Sequence, residues 1–169
     1  NKALERIHKK IFEKAFRVTK EEALDLPEKL YQVRVVEMTD LQKQYYNDML
    51  TKQLIQLQNS EEKVRAQIIV VMILRLQQIT SGFISTSDID GNKIGEKSIA
   101  GINPKIQELD DILDELDGKP IVIWSRFRYD IDQISRLLDR RNITYVTYIG
   151  GMPQKVREDN ERKFMNGEA

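Results

Sequence analysis

Apolar positions recur at helical spacing along most of this chain and condense into short, dense runs in its last third. Leu4, Ile7, Ile11, Phe12 and Phe16 fall near one face of a charged segment, which predicts a helix over 3–24. Leu26-Pro27 stops it, because a residue before proline is disfavoured in helical geometry. The run YQVRVVEM, residues 31–38, is β-branched with partial alternation and reads as a strand. Thr39 with Gln42 forms a T-x-x-Q capping box. It opens a helix carried by Leu41, Tyr45, Met49 and Leu50 to about Asn59-Ser60. Ser60 before Glu61-Glu62 reads as a second N-cap. The helix after it, to Ser81-Gly82, includes IIVVMIL, residues 68–74, expected to be covered on several faces.

Residues 84–102 read as a loop or small hairpin turning at Asp90-Gly91. Beyond them the pattern changes. Asn103-Pro104 caps an amphipathic helix of Ile106, Leu109, Ile112, Leu113 and Leu116, closed by Gly118. PIVIW, residues 120–124, is a near-continuous apolar strand of the kind covered on both faces. Phe127, Ile131, Ile134, Leu137 and Leu138 give another helix. ITYVTYI, residues 143–149, is a further strand, Gly150-Gly151 turns the chain, and Pro153 opens a last helix. This alternation predicts an α/β fold with parallel strands and right-handed crossovers. Two such strands do not finish an α/β domain, so the chain reads as a piece of one.

Composition narrows the chemistry. Lysine plus arginine and aspartate plus glutamate number 27 each, so net charge is silent on nucleic acid and only local clustering speaks. With no cysteine, disulfides and thiolate metal sites are excluded, and one histidine, His8, excludes a two-histidine metal site. Seven apolar residues in a row cannot span a bilayer. A cytosolic chain is expected, associated with the nucleoid in a bacterial or phage setting and nuclear in a eukaryotic one. Asp88, Asp90, Gly91 and Asn92 resemble a calcium loop faintly, but Lys93 stands where that loop needs glycine. There is no G-x-x-x-x-G-K-[ST] phosphate loop, and Asp110-Asp111 lies mid-helix, away from any strand end.

In open α/β sheets ligands bind beyond the carboxyl ends of the strands. Here those ends are Ser125-Arg126-Phe127-Arg128 and Gly150-Gly151-Met152-Pro153-Gln154-Lys155. Small residues, exposed amides and cations at helix N-termini suit a phosphate, and Arg126, Arg128, Lys155 and Arg157 add charge to one rim. The plainer reading is of glycine turns with solvated arginines.

Taken in order, these pieces resemble the Swi/Snf family of helicase-like double-stranded-DNA translocases, over about residue 16 to the end. The passage FRVTKEEALDLPEKLYQVRVVEMTDLQKQYYNDM is similar to that family's link between motor lobes, through Arg17, Lys20, Leu26-Pro27, Gln42 and Tyr46. LRLQQITSGF is similar to a helix end that usually closes on His-Pro, absent here. NPKIQELDDIL and PIVIWSRFRYDID resemble the helix and strand of the fourth helicase motif. ITYVTYIGGMPQKVREDNERKF resembles the segment after it, with Gly151, Arg157 and Phe164 in register.

The resemblance implies a partial RecA-like second lobe of the P-loop NTPase type carrying a long helical protrusion. The boundaries it suggests are an inter-lobe helix and linker at 1–27, an entering strand at 28–38, the protrusion at 39–83, a loop or hairpin at 84–102, and an incomplete C-terminal lobe at 103–169. It implies ATP and magnesium in an intact parent, none held by this piece, and no catalytic or metal-binding residue here. It places Arg17 and Lys20 at an inter-lobe contact with a first lobe outside this chain. It assigns Ser125, Arg126, Gly150, Gly151, Met152 and Arg157 to the sugar-phosphate backbone of double-stranded DNA. Arg126 replaces a frequent glutamine, and Met152 removes a small hydroxyl. The expected state is a monomer or a weak self-associate, with no membrane partner. The alternatives are a helical protein-interaction module and a lobe of another superfamily-two helicase or restriction translocase.

Overall fold

The computed structural model describes residues 2–12, 14–16, 18–19, 23–25, 29–87, 93–99 and 101–169, with backbone alone at 2–4, 8, 87, 93 and 94. The chain divides into two compact units, residues 1–33 and 34–169.

In the first unit, helix α1 (Lys2–Phe12) carries Glu5 in its first turn and Lys9-Lys10 in its last, complementing the helix dipole. It is shorter than the periodicity predicts. Phe16 is 91% exposed, so the apolar face has nothing to bury beyond the last turn, and a lone helix is marginal in water. The stop at Leu26-Pro27, with Arg17 and Lys20, lies outside the described residues.

The second unit begins with helix α2 (Asp40–Gln58) and helix α3 (Glu62–Thr80), packed as a hairpin. The capping box forms: Thr39 Oγ1 accepts from the Gln42 amide, and the Thr39 amide donates to Gln42 Oε1. Gln42 does a second job. Its Nε2 donates to the Ile79 carbonyl at 3.0 Å, which also accepts from the Gly82 amide at 2.9 Å. Ser60 does not cap α3. Its hydroxyl turns back to the Gln56 carbonyl at the open end of α2, and Glu61 takes the N-cap position without a side-chain bond. The IIVVMIL run is helical, but its cover is one-sided: Ile68 is buried while Val70 and Ile73 are exposed.

Gly82, at φ +85°, ends α3 in the left-handed conformation glycine adopts without strain. Strands β1 (Phe83–Ser87) and β2 (Lys93–Ser98) follow as an antiparallel pair with a bulge at Thr86/Ser87. A bond from the Ile99 amide to the Gly82 carbonyl extends the pair. The expected hairpin is therefore present; its turn lies outside the described residues. Phe83, fully buried, stacks on Tyr129 at 4.4 Å and meets Phe127 edge-on at 5.3 Å. With Ile79 and Ile99 it centres the core.

Helix α4 (Pro104–Leu116) starts on the Asn103 cap, whose side chain accepts from the Lys105 amide and donates to the Ser81 carbonyl. Helix α5 (Arg128–Arg140) ends in a Schellman motif. Asn142 sits at φ +54°, with Asn142→Asp139 and Ile143→Leu138 backbone bonds. Arg141 ties it to α4 through Asp110 and Asp114, so Asp110 is a structural partner as well as a surface charge. Arg34 bonds Glu108 and Glu115 on the same helix. Helix α6 (Gln154–Met165) closes the described chain.

The parallel strands expected at 31–38, 120–124 and 143–149 are not formed. Among the described residues the sheet is the β1–β2 pair alone. Residues 120–124 and 143–149 run without ladder partners, and Val122 is 63% exposed. A strand draws its stability from lateral neighbours and from cover on its faces. An apolar run lacking both does not enter a ladder.

Candidate nucleic-acid interface

Two loops carry the expected site, and each is shaped by its own chemistry. In the first, Ser125 Oγ donates to Asp130 Oδ2 at 2.8 Å across the first turn of α5. Asp130 is half-buried. Loss of hydration pushes its carboxyl above the usual range, while bonds from Ser125 and Ser81 pull the other way. The Ser125 hydroxyl therefore meets a phosphate as an acceptor, unless it leaves Asp130. The Arg126 guanidinium donates to Gln77 Oε1 on α3 and lies 5.9 Å from the Phe127 ring. Gln77, Ser81, Lys105, Trp124, Arg126 and Asp130 share the lining of a cavity of about 420 Å³.

In the second loop, Gly151 stands at φ +89°, where a side chain is strained. Gly150 has neither positive φ nor a close neighbour. Met152 replaces the missing hydroxyl with sulfur: its Sδ accepts from the Ile149 amide at 3.4 Å. The Met152 amide donates, at 3.4 Å, to the Ile149 carbonyl. Arg157 lies with its guanidinium 5.3 Å from the Tyr148 ring, and its Nε is buried with no partner. The first turn of α6 has no side-chain cap, so its leading amides face outward uncommitted to a side chain.

Arg128 joins the loops. Its Nη2 donates to the Gly150 carbonyl at 2.7 Å and lies 3.8 Å from where a Cβ on Gly151 would stand. The structure thus brings Ser125-Arg126 and Gly150-Gly151-Met152 to one rim through a residue the sequence marks only as added charge. Gln77 and Asp130, the groups that hold Arg126 and Ser125, carry no sequence signal. They come from other turns and become neighbours only by folding.

Among the described residues no cluster of three or more carboxylate or histidine side chains could hold a metal ion, and no helix is long and apolar enough to cross a membrane. No curated protein and no solved structure matches the chain. Residues 104–169, which hold both loops, match the family of the helicase conserved C-terminal domain, and the match implies a RecA-like fold for that stretch.

Proposed function

We propose that this chain supplies part of the backbone-tracking surface of an ATP-driven, Swi/Snf-type translocase of double-stranded DNA. Alone it hydrolyses no ATP, because phosphate loop and magnesium-binding acids would come from a first lobe. The observation that carries the reading is the Arg128–Gly150 bond, which sets two phosphate-suited loops side by side. Arg126 and Arg157 supply charge, and Gly151 and Met152 supply close backbone. Such contacts position a duplex without reading its sequence.

Fluorescence anisotropy with a labelled duplex tests this. Binding is weak, indifferent to sequence and salt-sensitive. Arg126→Ala with Arg157→Ala lowers the slope of log affinity against log salt by about two, near 0.9 for each phosphate that is no longer neutralised. An unchanged slope defeats the site assignment, and ATP turnover by the purified chain defeats the division of labour.

A second reading has its own support. Ile69, Val70 and Ile73 on α3 are 41%, 66% and 46% exposed, the pattern of a helical docking face. Light scattering that finds a clean monomer at high concentration counts against it.

A further inference from the structure

Trp124 is the chain's sole tryptophan, and it is 90% exposed. An indole ring left in water is costly, since large aromatic side chains contribute most when covered. Trp124 is among the residues that line the 420 Å³ cavity. That volume falls within the roughly 300–1,000 Å³ of small-ligand sites.

The lining is ordered by chemistry. Exposed Lys105 and Arg126 bring positive charge. Gln77 and Asn103 bring amides, Ser81 and Ser125 hydroxyls, and half-buried Asp130 a carboxylate. A pocket for a bare phosphate has little use for a carboxylate, which repels it. An apolar pocket has little use for so many hydrogen-bonding groups. A nucleotide needs all three: a ring to stack on, mixed donors and acceptors for a base edge, and cations for the phosphate.

The base must be out of its stack. Within a duplex both faces of each base are covered by neighbours, so a single ring has no face to meet without unstacking. We propose that this cavity takes one unpaired nucleotide of a nucleic-acid strand. Trp124 stacks the base, Asp130 and Gln77 meet its polar edge, and Arg126 with Lys105 holds the adjoining phosphate. The site shares Arg126 with the duplex-tracking rim but uses nothing of the Gly150–Met152 loop.

Because Trp124 is the only indole, its emission reports the site directly. The unmodified chain is titrated with short oligo-dT, with an abasic strand of the same length, with duplex, and with inorganic phosphate. Oligo-dT quenches the emission saturably; the abasic strand and phosphate leave it unchanged; duplex binds, by anisotropy, without quenching. Trp124→Ala weakens oligo-dT binding roughly tenfold while Trp124→Tyr, which keeps a stacking face, restores most of it. Equal binding of the abasic strand overturns the proposal, as does absent quenching by oligo-dT. A blue shift that grows with chain concentration alone also overturns it, since a second copy then covers the ring. Duplex binding that persists in any of these cases leaves the tracking surface standing, so the two failures are distinct. If the alanine variant does not fold, the titration of the unmodified chain decides.

Discussion

Two stretches of the second unit carry comparable local signals and fold differently. Residues 39–99 form a closed core with the start of α5: Gln42 bridges the start of one helix and the end of another, and Phe83 is sealed between the hairpin and two aromatic rings, Phe127 and Tyr129. Residues 104–169 have helices α5 and α6 closed at their C-terminal ends by Schellman bonds, yet the two apolar runs between the helices lie without ladder partners. Caps and Schellman motifs are satisfied within a turn, so a helix end can be right whatever surrounds it. A strand needs a neighbour that no local signal supplies. Local consistency therefore guarantees elements, not layers.

The contrast can be broken most forcefully at its closed side. Phe83→Ala is expected to cost about 3–5 kcal/mol by chemical denaturation, the range for emptying a buried aromatic site. A loss near zero would mean the core lies elsewhere. Gln42→Ala removes both the reciprocal cap and the second donor to Ile79, and about 2 kcal/mol is expected, the sum of two net hydrogen bonds. Thr39→Ala, which removes only the cap acceptor, should cost about 1 kcal/mol. If the two are equal, the second bond contributes nothing.

On the open side the effects shrink. Gly151→Ala forces a side chain into the left-handed region for about 1 kcal/mol, and the matching Gly150→Ala should be silent within about 0.5 kcal/mol. Asp130 sharpens the comparison through pH. Its folded-state value is raised by burial, so across the window above the ordinary carboxylate value the native state holds a proton the unfolded chain has lost. Its contribution is full below that window and fades as pH rises through it. Asp130→Asn should flatten this part of the curve of denaturation midpoint against pH; a curve that keeps its slope would place the titration elsewhere. Smallest is Val122→Thr, under about 0.5 kcal/mol while the run stays uncovered. A larger loss would reveal that residues 120–124 are buried in solution.

What can be read from the residues divides along the same line. The T-x-x-Q box, the Asn103-Pro104 start, the glycine stop after α3 and the hairpin are legible because each depends on residues a few positions apart. Ser60 misleads because two helix ends compete for one hydroxyl, and the orphan carbonyl of Gln56 wins. The extended runs mislead because apolar, β-branched composition states what a strand would want and says nothing of whether a partner is there. At the rim, Ser125, Arg126 and the glycine pair are nameable from their place after apolar runs. Asp130, which accepts from the Ser125 hydroxyl, and Gln77, which holds Arg126 from another helix, are not. Met152 stands out in the sequence as a misfit, and only the Sδ contact to Ile149 shows what its side chain does in the loop.

The Gln42 side chain also carries a discrimination that no pattern of helix starts contains. A capping box accepts glutamate as readily as glutamine, because only an oxygen faces the N-cap amide. Here the other end of the amide must donate to a carbonyl in a dry site. A carboxylate in its place would set oxygen against oxygen and bury a charge. Hydrolysis of this one side-chain amide, a change of a single heavy atom and nearly no volume, would thus unfasten two helices at once, and would register as a gain in acidity before any change in shape.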